Sequence, residues 1–331
     1  MKIPEKIGEI INGGQSFLLL AHTHPDGDAV GSVTALGRGL KSLGKQVDYF
    51  MDPEIEEKLG FIKEIGQFKH KASELKPAYD AVIYLDCSTQ DYAFAPDPFP
   101  KCAETIVVDH HKSNEGYGDV NYVETTGATG ELVYLLLEEL GADVDEESKE
   151  ALFAALSSDT GSFQFSNTTP QTHQIAAALH EGGKTFSPIS KCLHTEKTFN
   201  QMKLYGEAVH ALELLDNEQI AFYALPYNVI QKYGGNLNIT DDVANIGMNI
   251  RPVILSASAK ESEPGVWRIS LRSKSPYPLD VSDIAVGYGG GGHMRAAGCS
   301  FEGTETDLRK DLIPKLEELL QTLPQEDHLE S

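Results

Sequence analysis

The chain has 331 residues, 40% of them hydrophobic and 23% charged, and its formal net charge at pH 7 is −23. This length is sufficient for two domains, and the composition is that of an ordinary globular protein. The negative charge argues against a protein that coats long nucleic acid, because such binding needs many Lys and Arg side chains to neutralise phosphates.

No targeting or membrane signal is recognisable in the sequence. The N-terminus lacks a basic segment followed by an apolar one, and no apolar stretch is long enough to span a bilayer. The cysteines are scattered without a C-x-x-C pair and indicate neither a zinc site nor a disulfide framework. We therefore expect a cytoplasmic protein that does not bind membranes.

The first half of the sequence alternates short apolar runs, typical of buried strands, with longer segments whose apolar residues have helical spacing. Strands are predicted at 16–22, 46–51, 80–88 and 105–111, and helices at 29–44, 129–141 and 145–161. A further helix is predicted to begin after Thr169, with Pro170 at its first position. This alternation indicates an α/β fold with a doubly wound, largely parallel sheet and helices on both faces.

The second half of the sequence predicts a smaller α/β domain. Residues 189–215 are helical in pattern and polar enough to join two lobes, whereas 219–226 and 266–274 have the pattern of strands. We therefore expect a catalytic domain at 1–188, a helical linker at 189–215 and a substrate-binding domain at 216–325. The charged end, 323–331, is expected to fray.

Three of the predicted strands end in acidic residues or histidines. These residues are His22, Asp26 and Asp28 after the first strand, Asp86 in the third, and Asp109, His110 and His111 in the fourth. Ligands bind outside the carboxyl ends of the strands in such sheets, so these side chains are expected to meet at one edge. At the first strand a purely structural polar turn is the alternative, because Pro25, Asp26 and Gly27 are good turn residues.

A fourth element supports a metal site. Asp159 ends a predicted helix, where the helix dipole disfavours a carboxylate, although "SDTG" also suits a turn that ends a helix. The combined donors are carboxylates and imidazoles, without a thiolate. Such donors favour Mn²⁺ over structural zinc, with Mg²⁺ and Co²⁺ as alternatives.

Four motifs in order along the chain resemble those of the DHH phosphoesterase family. They are "HTHPDGDA" at 22–29, "LDCS" at 85–88, "VVDHH" at 107–111 and "SSDTGSF" at 157–163. In addition, "GYGGGGHMRAAGCSF" at 287–301 resembles the glycine-rich signature of the DHH-associated domain, which follows the catalytic domain in this family. The sequence departs from the family pattern at Met294, where a basic residue is usual, and Arg295 follows it.

The resemblance implies a centre of two divalent metal ions. It assigns His22 and Asp26 to one ion, Asp28, His110 and Asp159 to the other, and Asp86 to a bridge between them. A bridging carboxylate can hold two ions close enough for both to act on one phosphoryl group. His24 does not match a family ligand and is expected to be solvated or to lie behind the ligands.

The resemblance also implies catalytic and substrate contacts. Asp109 would orient an imidazole, and His111 would face the substrate, where it could stabilise a phosphoryl oxygen or protonate the leaving oxygen. The implied substrate-binding residues of the second domain are Arg272, Gly290, Gly291, Gly292, His293 and Arg295. Without the resemblance, the glycine run could be a hinge, Arg272 a solvated strand residue and His293 a structural histidine.

One catalytic domain followed by one glycine-rich domain resembles the branch of the family that hydrolyses short oligoribonucleotides (nanoRNA) and 3′-phosphoadenosine 5′-phosphate (pAp). Two-metal hydrolysis of one or both substrates is therefore the predicted function. The alternatives are a soluble cyclic-di-AMP or pApA phosphodiesterase and a non-hydrolytic nucleotide-binding sensor. Short RNA or small nucleotides are the expected partners, long nucleic acid and membranes are not, and a homodimer is left open.

Overall fold

The computed structural model of the chain describes residues 3–235 and 243–323. The chain divides into two compact units, Met1–Glu196 and Lys197–Ser331. This division falls inside the segment predicted as a linker. The domain limits stay predictions, and the last two residues of the predicted second domain, 324 and 325, lie outside the described residues, as does the charged end from 324 onward.

The first unit is built on a five-stranded parallel sheet in the order β2-β1-β3-β4-β5. Its strands are β1 (Ser16–Leu20), β2 (Gln46–Phe50), β3 (Ala78–Leu85), β4 (Lys101–Asp109) and β5 (Val120–Val123). The central strands are apolar on both faces, as strands buried between two layers must be. The predicted α/β fold class with a parallel sheet is confirmed.

Six helices accompany this sheet in the described part of the first unit. They are α1 (Glu5–Gly13), α2 (Gly27–Ser42), α3 (Thr129–Leu140), α4 (Glu146–Asp159), α5 (Pro170–Leu179) and α6 (Ser187–His194). As predicted, α5 begins after Thr169, whose side chain accepts a hydrogen bond from the backbone N–H of Thr172.

Glycines allow α2, α3 and α4 to pack closely. A Cβ atom at Gly31 of α2 would lie 2.3 Å from the carbonyl oxygen of Ala151 in α4. A Cβ atom at Gly130 of α3 would lie 2.6 Å from the Cβ atom of Ala155 in α4. Only glycine permits such an approach. This packing brings the start of α2, the start of α3 and the end of α4 together.

The two faces of the sheet are covered differently. The side chains of Phe17, Leu19 and Ile83 pack in a core that includes residues of the helices. Leu18 and Val82 point to the opposite face, where the described apolar partners come from strands and from non-helical connections. The expectation of helices on both faces is therefore wrong for the described residues. The connection from β3 to β4 contains a 3-10 turn at Gln90–Tyr92, and no α-helix.

The second unit contains a mixed six-stranded sheet in the order β10-β11-β9-β8-β7-β6, in which only β7 and β8 are parallel neighbours. Its strands are β6 (Glu213–Leu215), β7 (Ile220–Leu225), β8 (Leu255–Glu263), β9 (Val266–Ser273), β10 (Gly291–His293) and β11 (Ala296–Glu302). Its described helices are α7 (Phe199–Ala211), α8 (Tyr227–Lys232), α9 (Ser282–Gly287) and α10 (Glu305–Leu320).

Alternation along β9 separates the two faces of this sheet. Trp267, Ile269 and Leu271 are buried in a core to which α10 contributes leucines at every fourth position. The alternate residues of β9, including Arg268 and Arg272, lie on the other face. No helix in the described residues combines the length and hydrophobicity needed to cross a membrane.

The segment predicted as a helical linker differs from the prediction at its end. Residues 213–215 form β6, which pairs antiparallel with β7 through Glu213 and Phe222. The hairpin between them turns through three residues with positive φ, Asp216, Asn217 and Glu218. The short apolar sequence "ELL" suits a helix end and a strand equally well, and the pairing with β7 decides between them.

Candidate active site

The residues that follow three parallel strands form the candidate site. His22 lies two residues beyond β1, Asp86 directly follows β3, and Asp109 is the last residue of β4. These strands are neighbours in the sheet, so their carboxyl ends place the side chains at one edge. Helix ends add further carboxylates, from Asp26 and Asp28 at the start of α2 and from Asp159 at the end of α4.

The first group of ligand atoms belongs to His22, Asp26 and Asp86, and these atoms lie within 4.8 Å of one another. Nε2 of His22 is 3.6 Å from Oδ2 of Asp86 and 3.9 Å from Oδ1 of Asp26. Nδ1 of His22 lies 2.8 Å from the carbonyl oxygen of Thr23. A hydrogen bond there leaves Nε2 for a metal ion, which is the usual arrangement of a histidine ligand.

The second group belongs to Asp28, His110 and Asp159, again within 4.8 Å of one another. Nε2 of His110 is 3.6 Å from Oδ2 of Asp159 and 3.9 Å from Oδ2 of Asp28. Nδ1 of His110 lies 3.2 Å from the carbonyl oxygen of Thr126. Both histidines therefore present Nε2 to carboxylates and Nδ1 to a backbone carbonyl.

Asp86 faces both groups. Its Oδ2 points to His22, whereas its Oδ1 is 3.6 Å from Nε2 of His110. Asp86 is almost fully buried and has a φ of 54°, a strained conformation for a residue other than glycine. Its Oδ1 also accepts a hydrogen bond from Oγ1 of Thr129 over 2.9 Å. One oxygen toward each group suits a carboxylate that bridges two metal ions.

Burial and crowding control the protonation of these carboxylates. Burial, reinforced by the charge of Asp86, raises the pKa of Asp28 well above its usual range. Burial also raises the pKa of Asp159 to about 6. For Asp86, burial acts in the same direction, but the neighbouring imidazoles outweigh it and lower the pKa. Such a concentration of buried negative charge, formed by oxygen and imidazole donors alone, fits divalent cations.

The imidazole of His111 forms a hydrogen bond with the carboxylate of Asp109. Nδ1 of His111 lies 2.7 Å from Oδ1 of Asp109, and Oδ2 of this buried carboxylate accepts a hydrogen bond from Nδ2 of Asn114 over 2.7 Å. The hydrogen bond to Asp109 raises the pKa of His111 to about 9, although partial burial acts in the opposite direction. The side chain of His111 is 42% exposed. Asp109 therefore favours the protonated form of His111, and the imidazole is accessible to a substrate.

His24 is placed apart from both groups of ligand atoms. Its Nδ1 lies 3.0 Å from Oε2 of Glu54, and the side chain is largely exposed. The backbone N–H of His24 donates to Oδ2 of Asp52 over 3.1 Å. The ring thus pairs with a surface carboxylate, as expected for a solvated residue.

Sequence reasoning missed several residues that hold the ligands in place. The backbone N–H groups of Thr129 and Gly130, at the start of α3, donate to Asp28 over 2.6 and 2.9 Å. Nδ2 of Asn167 donates to Oδ2 of Asp159 over 3.3 Å. Buried Glu131 accepts from the N–H of Gly127, next to the carbonyl of Thr126 that meets His110. The sequence "ETTGATGE" at 124–131 is of a kind common at helix starts, and the contacts of Thr129 and Gly130 with Asp28 join residues 101 and 102 positions apart in sequence.

Two family models match this chain. One, described as "DHH family, N-terminal domain", matches residues 16–157, and the other, described as "DHHA1 domain", matches residues 219–325. The chain therefore contains a DHH domain followed by a DHHA1 domain. Its DHH domain carries both groups of ligand atoms except Asp159, which follows the matched range by two residues.

Several named proteins and solved structures are similar to this chain. The "Bifunctional oligoribonuclease and PAP phosphatase NrnA" of Thermus thermophilus is 26% identical over 303 residues, which cover 91% of this chain and 89% of that protein. An exopolyphosphatase-related protein from Bacteroides fragilis has the same fold, with a TM-score of 0.84, 21% identity and coverage of 96% and 95% of the two chains. RecJ from Thermus thermophilus, solved with Mn²⁺, matches 97% of this chain and 54% of its own, with a TM-score of 0.52 and 15% identity.

In the DHHA1 domain, Arg272 and His293 lie on the same face of the sheet. Arg272 of β9 pairs with Ala296 of β11, and Ala296 in turn pairs with His293 of β10. Nε of Arg272 donates to Oδ1 of Asn245 over 3.3 Å, and burial lowers the pKa of Arg272. His293 is exposed. The pairing of β9, β11 and β10 therefore places the side chains of Arg272 and His293 in one row across the sheet.

The glycine run forms part of a hairpin, and not only a loop as predicted. Gly291 and Gly292 belong to β10, an edge strand paired with β11. A Cβ atom at Gly290 would lie 2.2 Å from the carbonyl oxygen of Gly298, and Gly292 has a φ of 145°. These two positions need glycine for the fold. A Cβ atom at Gly291 would meet no atom within 4 Å, so packing does not explain glycine there.

Arg295 supports the same hairpin. Its Nη1 donates to the carbonyl oxygens of Lys274 and Tyr277 over 2.9 and 2.8 Å. These bonds connect the turn between β10 and β11 to the segment after β9. Arg295 thus has a structural role in addition to the substrate contact predicted for it.

Proposed function

We propose that this chain hydrolyses short oligoribonucleotides, pAp or both, with two divalent metal ions bound in the DHH domain. The observation that supports this most strongly is the position of Asp86, which directs one carboxylate oxygen to each group of ligand atoms. His22 and Asp26 would hold one ion and Asp28, His110 and Asp159 the other, with Asp86 shared. The Thermus thermophilus relative is named an oligoribonuclease and PAP phosphatase, and this name supports the proposed substrate class.

The metal ions, when bound, supply Lewis-acid stabilisation of the charge that develops on the phosphoryl group. Mn²⁺ is the proposed native ion, with Mg²⁺ and Co²⁺ as alternatives, because the donors combine carboxylates with imidazoles. RecJ, a protein of similar fold, has been solved with Mn²⁺.

His111 is the proposed general acid. Asp109 keeps its imidazole protonated near neutral pH and fixes Nδ1, so that Nε2 is the nitrogen that can reach a substrate. From there it can donate to a phosphoryl oxygen or to the leaving oxygen. The other oxygen of the Asp109 carboxylate, Oδ2, accepts a hydrogen bond from Nδ2 of Asn114, and this bond helps to fix the orientation of the carboxylate.

The DHHA1 domain is proposed to bind the substrate away from the reacting phosphorus. Arg272 and His293 would contact a phosphate, and the backbone of Gly290, Gly291 and Gly292 would allow its close approach. Arg is suited to such a contact because its guanidinium group binds phosphate in a bidentate manner. The negative net charge is consistent with small substrates, since it disfavours long nucleic acid. A cytoplasmic location is part of the same proposal.

A panel of substrates tests this function. The purified protein with Mn²⁺ should hydrolyse pAp or oligoribonucleotides of two to five residues with higher kcat/KM than cyclic-di-AMP or inorganic pyrophosphate. Preference for cyclic-di-AMP would identify the alternative phosphodiesterase. Binding of nucleotides without hydrolysis in the presence of Mn²⁺, Mg²⁺ or Co²⁺ would instead identify a sensor. Either result would refute the proposed function.

A further inference from the structure

An exposed aromatic ring lies directly beside the first group of ligand atoms. The ring of Tyr92 is parallel to the imidazole of His22, with an angle of 10° between the planes and 5.3 Å between the centroids. His22 is 8% exposed, whereas Tyr92 is 48% exposed. One side of the tyrosine thus packs on a proposed metal ligand while much of the side chain remains open to solvent.

The backbone around Tyr92 is held by the end of β1. The carbonyl oxygen of Tyr92 accepts a hydrogen bond from the N–H of Thr23 over 3.1 Å, and the N–H of Phe94 donates to the carbonyl oxygen of Ala21 over 2.9 Å. Between these bonds, His22 and Ala93 form an antiparallel bridge. The ring is therefore presented from an ordered segment, which lowers the entropic cost of using it as a binding surface.

Other exposed aromatic side chains of the first unit have different surroundings. The ring of Phe99 is stacked on Tyr84 at 6.5 Å, and Phe165 lies against the backbone of Gly161. Among the described ring contacts, Tyr92 is the exposed aromatic residue that is stacked on a proposed ligand. Single exposed aromatic residues are common, so it is this position, and not exposure alone, that suggests a function.

We propose that Tyr92 stacks on a nucleobase adjacent to the phosphate that is hydrolysed. This inference rests on the proposed function, because it takes the substrate to be a nucleotide whose phosphate binds near His22, Asp26 and Asp86. A base joined through one ribose to that phosphate can reach the ring, which lies next to the imidazole of His22. Stacking on an aromatic ring tolerates all four bases, as hydrolysis of short RNA without a defined sequence requires.

Hydrolysis measurements separate stacking on a base from support of His22. Base stacking is worth about 1–3 kcal/mol per base, so Tyr92→Ala should lose about fivefold to 150-fold in kcat/KM on the dinucleotide pApA. Tyr92→Trp and Tyr92→Phe should retain most of the activity. On an analogue of pApA that lacks the base next to the scissile phosphate, wild type and Tyr92→Ala should be equal. An equal loss on both substrates, with weaker Mn²⁺ binding, would overturn the proposal in favour of a role in holding His22.

Fluorescence gives a readout that does not depend on turnover. A dinucleotide carrying 2-aminopurine should be quenched on binding to wild type and to Tyr92→Trp, and much less on binding to Tyr92→Ala. Phe99→Ala is the matched control, because it removes an exposed ring that stacks on Tyr84 and not on a ligand, and it should behave as wild type. Quenching without hydrolysis would support stacking and refute the proposed function. Hydrolysis with quenching unchanged in Tyr92→Ala would refute stacking alone, and the absence of both would refute both.

Discussion

Asp109 and His111 form a buried carboxylate–imidazole pair, with 2.7 Å between Oδ1 and Nδ1, at the end of β4. Asp109 is fully buried, while His111 reaches the surface. The carboxylate thus favours a positive charge on an accessible imidazole two residues further along the same motif.

Removal of the carboxylate charge in Asp109→Asn should lower the pKa of His111 from about 9 toward its usual value of about 6.5. At pH 8 the protonated fraction would then fall about thirtyfold, and kcat should fall with it if His111 acts as an acid. The pKa of His111 can be followed by NMR titration of the metal-free protein. His111→Ala is the companion variant and should keep both metal ions while losing rate. A normal rate at pH 8 with a lowered pKa would contradict the acid role.

The raised pKa of Asp159 predicts the pH dependence of metal binding. In the metal-free protein, the folded state binds more protons than the unfolded state between the usual pKa of about 3.9 and about 6, so stability falls as the pH rises through this range. Metal ions bind deprotonated carboxylates, so Mn²⁺ should raise the Tm more at pH 7.5 than at pH 5. Asp159→Asn should reduce this difference. The same gain in Tm at both pH values would show that protons and metal do not compete there.

Glycine substitutions in β10 and at the residue before it separate folding from phosphate binding. Gly291→Ala should change stability by no more than about 0.5 kcal/mol, because the added methyl group meets open space. It should still lower kcat/KM on pAp if a phosphate approaches this backbone. Gly290→Ala is the contrasting variant and should be destabilised by about 1–3 kcal/mol, because its Cβ atom would meet the carbonyl oxygen of Gly298. Full activity of Gly291→Ala would remove this residue from the binding site.

Arg272 and Arg295 should respond differently to truncation. A charge-assisted contact to phosphate is worth about 1.5–3 kcal/mol, so Arg272→Ala should lose about tenfold to a hundredfold in kcat/KM on pAp or short oligonucleotides. The loss should be smaller on bis-(p-nitrophenyl) phosphate, which lacks the distant phosphate. Arg295→Ala should also lower the Tm, since it removes hydrogen bonds to two carbonyls. An equal loss on both kinds of substrate for Arg272→Ala would mean that it does not act in recognition.

Much of the candidate site could be predicted from sequence because its signals are local. Apolar runs identify β1, β3 and β4, and the rule for parallel sheets then places His22, Asp86 and Asp109 at one edge. The rule succeeds here because it needs only the order of the strands and helices along the chain.

What escaped prediction depends on tertiary contacts. Thr129 meets Asp28 and Asp86 only because glycines let α2, α3 and α4 approach closely, and no local pattern reports such an approach. Asn167 precedes the helix start at Thr169, and that start alone accounts for the polar residues of the segment. The sequence therefore did not indicate the contact of Asn167 with Asp159. The loops that cover the second face of the sheet escaped for a related reason, since alternation of elements implies crossovers but does not fix their conformation.

The number of Mn²⁺ ions bound per chain decides whether Asp86 is shared by two metal ions. Wild type, stripped of metal and titrated with Mn²⁺ by isothermal calorimetry, should bind two ions, and Asp86→Asn should retain the fold by circular dichroism. The variant should lose tight binding of both ions and at least about a hundredfold in kcat, because the shared ligand is removed from both groups at once. If folded Asp86→Asn still bound two Mn²⁺ ions with the affinity of wild type and turned over substrate at the normal rate, the shared-ligand account would be wrong.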